Sequence, residues 1–197
     1  MDGEGWRFGP VRVAARPHPP GQRGEPAVRP LLAQWLGRDE VPLVRDAHGR
    51  PRLLAPFQDC DASWSHSGGL LLLACARGAT VGVDLERLRP RPRALELARR
   101  FFAPGEAGRL AMLPPAQRER AFVRLWCAKE ALLKAHGRGL AFGLHRLELA
   151  CTDDDPAAPL RLLACDPALG APADWRLHEW TPQPDYVAVL AWRPAGG

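Results

Sequence analysis

Lysine is almost missing from this basic chain. The 197 residues include 27 lysines and arginines against 22 acidic residues, yet only Lys129 and Lys134 are lysines. Arginine stays protonated in proteins, whereas lysine is a compact charge that releases its proton when its pKa is lowered. Two lysines within six positions therefore indicate a role that a guanidinium cannot fill. The alternative is that two surface lysines lie there by chance.

Cysteine pairs and long apolar segments are also missing. The five cysteines are scattered without a C-x-x-C pair, which favours free thiols in a reducing cytoplasm over disulfides or a zinc site. The longest apolar run, Leu70 to Ala76, is too short to cross a bilayer, and the N-terminal residues lack the apolar core of a secretory signal. We therefore expect a cytoplasmic protein without a membrane partner.

The net charge of +5 favours an acidic partner or an anionic ligand. The arginines are dispersed, and no basic stripe or nucleic-acid-binding motif is visible. We therefore expect no nucleic-acid partner. A nucleic-acid binder stays an alternative that steep salt dependence of binding to DNA or RNA would reveal.

Hydrophobic spacing and turn residues predict an α+β fold. The predicted helices are Ala27 to Leu36, Ala94 to Phe102, Pro104 to Leu113 and Ala116 to His136. The predicted strands are Trp6 to Ala15, Val41 to Val44, Leu70 to Ala76, Thr80 to Glu86, Leu144 to Ala150, Leu160 to Cys165, Trp175 to Trp180 and Tyr186 to Trp192. A Pro- and Arg-rich connector suggests two similar α+β halves, residues 1–92 and 93–197, that form one functional unit.

Three acidic residues could gather a metal ion. In the strand around Asp84 and Glu86, alternation places both carboxylates and Gly82 on one face, and the glycine leaves room above the backbone. Glu130, from a later helix, would complete three hard oxygen ligands, a set that suits magnesium together with phosphate oxygens. A solvated acidic edge is the alternative for the strand pair.

Two further segments fit phosphate chemistry. Lys134 lies one helical turn from Glu130, where it could neutralise or protonate a departing phosphate, although the same spacing suits an ordinary surface ion pair. Ser65 and His66 are predicted to lie in a turn that precedes a strand, and such a turn can hold a phosphate. For these two residues alone, a polar turn that caps the strand is the more common explanation.

The order of the motifs is more specific than any one of them. G-R-P, W-S-H-S-G, G-V-D-L-E, F-F-A-P-G-E and W-C-A-K-E-A-L-L-K-A-H-G-R-G-L follow one another between Gly49 and Leu140. This series resembles the 4′-phosphopantetheinyl transferases, of the larger pseudo-dimeric kind that activates peptide and polyketide synthases. The resemblance implies two similar subdomains related by a pseudo-twofold, each a small, mostly antiparallel sheet packed with helices. It also implies an active site at their interface.

The resemblance further implies roles for single residues. Asp84, Glu86 and Glu130 would bind the metal, Mg²⁺ or alternatively Mn²⁺, and Glu130 and Lys134 would be catalytic. The residues that would contact coenzyme A are Arg50, Ser65, His66, Lys129, Lys134, Arg16 and Arg23. Glu106 occupies the glutamate position of the F-x-x-x-E motif. Relatives carry a basic stretch before the first helix that holds the 3′-phosphate, and here that stretch is short and broken by Pro19, Pro20 and Gly21.

The implied reaction is transfer of the phosphopantetheine arm of coenzyme A to a serine of a carrier protein, with release of 3′,5′-ADP. The implied partner is an acidic apo acyl or peptidyl carrier protein, which accords with the net charge of +5. We expect a monomer. A non-catalytic module that binds coenzyme A or the carrier is the alternative, but such a module would not need all three acidic residues.

Overall fold

The computed structural model describes residues 5–150 and 158–196, which form four α-helices and eleven β-strands. The helices are α1 (Gly24–Leu36), α2 (Ala94–Phe101), α3 (Pro104–Met112) and α4 (Pro115–His136). The strands are β1 (Gly5–Phe8), β2 (Val11–Pro17), β3 (Leu43–Arg45), β4 (Pro51–Leu53), β5 (Cys60–Ser67), β6 (Leu70–Arg77), β7 (Ala79–Arg87), β8 (Leu147–Ala150), β9 (Arg161–Cys165), β10 (Arg176–Trp180) and β11 (Tyr186–Pro194).

These strands form small antiparallel sheets, as predicted. The two larger sheets have the strand orders β1-β2-β6-β5 and β10-β11-β7. Two smaller sheets consist of two strands each, β3-β4 and β8-β9. β7 comes from the predicted first half but pairs with β11 of the second half. The division of the chain at residue 92 therefore stays a prediction.

The two larger sheets and two helices stack in layers, and strand alternation explains the order. One face of β2 and β6 meets one face of β7 and β11 in a core that contains Val13, Leu72, Val83 and Leu190. The opposite face of the first sheet packs on α1, and the opposite face of the second packs on α4. Runs such as Leu70 to Ala76 are apolar at every position because both faces of the strand are buried.

The predicted helices are confirmed to within a few residues at each end. α1 and α4 end where the sequence indicates, because Gly37 and Gly137 adopt left-handed backbone angles, with φ of 65° and 95°. The prediction of one strand from Trp6 to Ala15 is wrong, since a turn at Gly9, with φ of 56°, divides it into the β1–β2 hairpin.

Side chains join the edges of the two larger sheets. β5 and β7 lie side by side, and alternate residues of β5 accept hydrogen bonds from the backbone N–H groups of β7. Asp61 accepts from Val81 at 2.7 Å, Ser63 accepts from Val83 at 3.1 Å, and Ser67 accepts from Arg87 at 3.1 Å. The partners stay 20 residues apart along the chain, so the two strands run parallel. We call this contact the β5–β7 seam.

Two further sequence predictions concern membrane spans and the state of the cysteines. Among the described residues, no helix is both long and apolar enough to span a membrane. The described cysteines, Cys60, Cys75, Cys127 and Cys165, are free thiols, as the scattered spacing predicts. Cys151 lies outside the described residues.

Candidate active site

A single glycine brings helix α4 into contact with strand β7. A Cβ on Gly82 would lie 2.0 Å from the carbonyl oxygen of Ala131 and 2.5 Å from the nitrogen of Ala135. The room that this glycine leaves is therefore filled by the helix backbone, at a distance that no other residue type permits. This approach holds the last turns of α4, which carry Glu130 and Lys134, against the strand.

Asp84 lies at the centre of the resulting cluster and is only 5% exposed. Its Oδ1 accepts hydrogen bonds from Lys134 Nζ at 2.7 Å and from Ser65 Oγ at 2.8 Å. Lys134 also donates to the carbonyl of Val83 at 3.2 Å. The lysine therefore pairs across to the strand, and no ion pair joins it to Glu130 in the described part of the chain. Segments 19 and 50 residues from Asp84 thus meet at one oxygen.

The other two predicted metal ligands carry carboxylates whose charge is poorly compensated. Burial, the nearby Asp84 and the nearby Glu86 raise the pKa of Glu130 to about 7, while Lys134 acts in the opposite direction. Burial and Asp84 also raise the pKa of Glu86, although Arg91 forms an ion pair with it at 2.8 Å. Asp84 therefore lies close enough to both glutamates to disfavour their ionisation, and Glu86 has the same effect on Glu130.

This donor set fits a hard divalent cation. Asp84 Oδ2 is buried and has no hydrogen-bond partner among the described residues. All the candidate donors are carboxylate oxygens, the ligands that magnesium prefers. No group of three or more His, Cys, Asp or Glu side chains in residues 5–150 and 158–196 is arranged as a closed metal site. The three acidic residues therefore provide suitable charge and donors without a preformed coordination cage.

Two neighbouring clefts open beside this cluster. The first, of about 200 Å³, contains Arg50 and Lys134 in its wall, together with Gly137 at the end of α4. The second, of about 330 Å³, contains Arg23 and His66. Arg45 and Trp64 line both clefts, with the Arg45 guanidinium 5.4 Å from the centre of the Trp64 ring. Four predicted coenzyme-contacting residues therefore line a basic surface next to the acidic cluster.

Other predicted contacts lie differently from expectation. The turn predicted for Ser65 and His66 is wrong, because both residues lie within β5, where they pair with Leu72 and Leu71 of β6. The Ser65 hydroxyl donates to Asp84, and the His66 ring lies 4.7 Å from the His18 ring at a tilt of 45°. Arg16 donates to the carbonyl of Ala15 and lines neither cleft.

Lys129 lies away from both clefts, in the protein core. Its ammonium is fully buried, forms an ion pair with Glu106 at 2.7 Å, and donates to the carbonyls of Leu144 and Leu147. Glu106 in turn accepts from the N–H groups of Ala103 and Leu149, each at 2.9 Å. This pair ties α3, α4 and β8 together, so the position of Lys129 supports a structural role instead of the predicted contact with coenzyme A.

Sequence reasoning missed three residues of the basic surface and its support. Arg45 and Trp64 line both clefts, and Asp61 forms an ion pair with Arg50. The alternation of Asp61, Ser63 and Ser65 along β5 was the available signal, because it places polar side chains on one face of a strand. A larger cavity, of about 500 Å³, lies between α4 and β10 around Arg124 and Glu179, and it contains none of the predicted site residues.

Comparison with known proteins agrees with the motif order. The family model of the 4′-phosphopantetheinyl transferase superfamily matches residues 80–191. The chain is 36% identical to the 4′-phosphopantetheinyl transferase HetI of Nostoc sp. strain PCC 7120 over 180 residues, which cover 87% of this chain and 71% of the relative. It is 35% identical to the putative 4′-phosphopantetheinyl transferase slr0495 of Synechocystis sp. strain PCC 6803 over 156 residues, which cover 77% and 60%.

A third relative extends the similarity to another group of bacteria. The chain is 32% identical to the 4′-phosphopantetheinyl transferase AcpT of Escherichia coli K12 over 134 residues, 64% of this chain and 68% of the relative. The family match begins at residue 80, so it includes β7 and α4 with all three acidic residues and both lysines.

Proposed function

This chain belongs to the 4′-phosphopantetheinyl transferase superfamily, and we propose that it transfers the 4′-phosphopantetheine arm of coenzyme A to a serine of an apo acyl or peptidyl carrier protein. The products are holo-carrier protein and 3′,5′-ADP. The observation that carries this proposal is the contact of Lys134 with Asp84 at 2.7 Å, which joins the two family motifs beside a basic cleft.

Asp84, Glu86 and Glu130 are the proposed ligands of Mg²⁺, with Mn²⁺ as a possible substitute. Two observations support this assignment: the buried Asp84 Oδ2 has no hydrogen-bond partner among the described residues, and burial next to Asp84 raises the pKa of Glu130. When bound, such an ion would neutralise the carboxylates and stabilise charge on the pyrophosphate of coenzyme A.

Glu130 is the proposed general base. In the metal-free protein, burial raises its pKa to about 7, which makes this carboxylate more basic than an ordinary glutamate, and it serves as a base through an oxygen that the metal leaves free. It accepts the proton of the carrier serine as the serine oxygen forms its bond to the pantetheine-side phosphorus. The bond between that phosphorus and the bridging oxygen of the pyrophosphate breaks, and the electron pair leaves with 3′,5′-ADP.

Lys134 stabilises the leaving phosphate. Its ammonium is held at the edge of the cleft by Asp84 and by the carbonyl of Val83, so it is oriented before the substrate binds. It neutralises charge that develops on the departing oxygen. Arg50 and His66 bind the nucleotide end of coenzyme A, and Arg23, beside His66, is the candidate for the 3′-phosphate.

The carrier protein approaches a basic enzyme. A net charge of +5 favours an acidic partner and raises the association rate at low salt. The site combines β5, from the first predicted half, with α4, from the second, which supports an active site between two related halves. We further propose that the enzyme acts as a cytoplasmic monomer.

A mass spectrum tests the reaction directly. The protein is incubated with coenzyme A, Mg²⁺ and an apo-carrier, and the carrier should gain the mass of one phosphopantetheine arm. EDTA should stop the gain, and excess Mg²⁺ should restore it. The Asp84→Ala variant should give no gain while it keeps the circular dichroism spectrum of the wild type. Binding of coenzyme A without any transfer by the wild type would instead favour a non-catalytic binding module.

A further inference from the structure

Asp61, a largely buried acidic residue, forms an ion pair with Arg50 in the wall of the first cleft. Arg50 is only 7% exposed, and the side chain of its ion-pair partner Asp61 is 14% exposed. The Nη2 of Arg50 donates to Asp61 Oδ2 and lies 3.4 Å from the carbonyl oxygen of Val81. The Nη2 nitrogen of the guanidinium is therefore occupied by contacts within the protein.

The other two guanidinium nitrogens of Arg50, Nε and Nη1, have no hydrogen bond to the described residues. A Cβ on Gly137 would lie 2.9 Å from Arg50 Cδ and 3.5 Å from Nη1, so the side chain lies flat against the glycine that closes α4. Gly137 and Arg50 both line the first cleft. The guanidinium thus has one anchored nitrogen and two that remain for a ligand.

Asp61 is itself held in place from two directions. The oxygen that pairs with Arg50 also accepts the N–H of Val81 at 2.7 Å, as the first bond of the β5–β7 seam. Val81 lies three residues before Asp84 on the same strand. The position of the guanidinium is therefore fixed relative to the acidic cluster, and not only relative to its own loop.

We propose that Asp61 is a positioning residue, which holds the Arg50 guanidinium in the orientation that binds a phosphate of the coenzyme A nucleotide. The proposal rests on the proposed function. A planar guanidinium carries five N–H donors and can bind a carboxylate and a phosphate at once. A lysine carries its three donors on a single nitrogen and lacks the planar fork that binds two anions from separate sides. The pair therefore accords with an arginine at position 50.

The test is a double-mutant cycle read by calorimetric binding of 3′,5′-ADP. Asp61→Asn keeps an oxygen for the Val81 N–H but removes the charge that orients Arg50. It should weaken binding about tenfold, as expected for the loss of one charge-assisted contact. Arg50→Ala should weaken binding at least as much, and the double variant should bind no more weakly than Arg50→Ala. Losses that multiply, or unchanged binding by Asp61→Asn, would overturn the proposal.

Three further variants separate positioning from folding. Ser67→Ala removes another bond of the seam and should leave the affinity for 3′,5′-ADP unchanged. Asp61→Glu keeps the charge and should regain part of the affinity that Asp61→Asn loses. If Asp61→Asn does not fold, Arg50→Lys takes its place. It keeps the charge and the pair with Asp61, yet it should bind 3′,5′-ADP several-fold more weakly, and equal affinity would refute the proposal.

Transfer assays on the same proteins separate this proposal from the function. Asp61→Asn should raise the KM for coenzyme A about tenfold and leave kcat within about twofold, because Arg50 holds the substrate and not the reacting atoms. Wild-type protein that binds 3′,5′-ADP but transfers no arm would refute the proposed function alone. Wild-type transfer with independent effects of Asp61 and Arg50 would refute the positioning role alone.

Discussion

Replacement of Glu130 by glutamine should stabilise the metal-free protein while it removes activity. The pKa of Glu130 is raised from its ordinary value of 4.5 to about 7, first by burial and then by Asp84. The folded protein therefore holds this proton more tightly than the unfolded chain does. The contribution of Glu130 to the free energy of unfolding is greatest below pH 4.5, falls as the pH rises to about 7, and is constant above that.

The size of the effect follows from the two pKa values. At about 1.4 kcal/mol per pKa unit, the difference corresponds to roughly 3 kcal/mol at pH 8. Glu130 is partly exposed, so solvent screening reduces the expected gain to about 1–2 kcal/mol. Glutamine has nearly the same shape and carries no charge. For a chain of this length, the gain corresponds to a rise in Tm of about 3–6 °C.

The assay is thermal and urea unfolding of both proteins in EDTA between pH 5 and pH 8. The advantage of Glu130→Gln should be small at pH 5 and should grow until about pH 7. Glu40→Gln is the matched control, because Glu40 is an exposed glutamate, and it should change Tm little at any pH. Added Mg²⁺ should raise the Tm of the wild type more than that of Glu130→Gln. A Glu130→Gln protein that is no more stable than the wild type at pH 8 would refute the reasoning.

Three more substitutions test the packing and the two lysines. Lys134→Arg keeps the charge but should lower kcat at least about tenfold, because a guanidinium is larger and holds its proton; wild-type kcat would contradict the assigned role. Gly82→Ala should lower the free energy of unfolding by about 2–3 kcal/mol in urea melts, since its Cβ would overlap the backbone of α4. Lys129→Met should destabilise by about 3–5 kcal/mol because it leaves the buried Glu106 carboxylate without a counter-charge. The double variant with Glu106→Gln should regain part of this loss, and unchanged melts for Lys129→Met would contradict the buried pair.

Much of the fold follows from local patterns in the sequence. The helix ends at Gly37 and Gly137 were predictable because a left-handed residue ends a helix wherever glycine supplies it. The hairpin turn at Gly9 was missed although the sequence carries its signal, since the apolar positions shift from Trp6 and Phe8 to Val11 and Val13 across a Gly-Pro pair. Ser65 and His66 were assigned to a turn because serine and glycine are frequent in turns, whereas in the structure the strand continues through them.

The candidate site was predictable to a different extent. Strand alternation predicted that Asp84 and Glu86 share one face, and the hypothesis of a metal site added Glu130 from a later helix. The structure holds Asp84 close enough to raise the pKa of Glu130. The spacing of Glu130 and Lys134 also suggested a local ion pair, but Lys134 pairs with Asp84 instead. The burial of Lys129 was invisible, because its partner Glu106 comes from another helix and a contact between distant segments leaves no local signal.

The β5–β7 seam also affects how copies of this protein meet one another. An edge strand with unpaired N–H groups recruits strands from other molecules, and β7 is rich in valine and leucine, which favours such association. Asp61, Ser63 and Ser67 occupy these donors on β7 with side-chain oxygens. Those oxygens shield the strand from intermolecular β-pairing, so the seam protects the folded enzyme against aggregation.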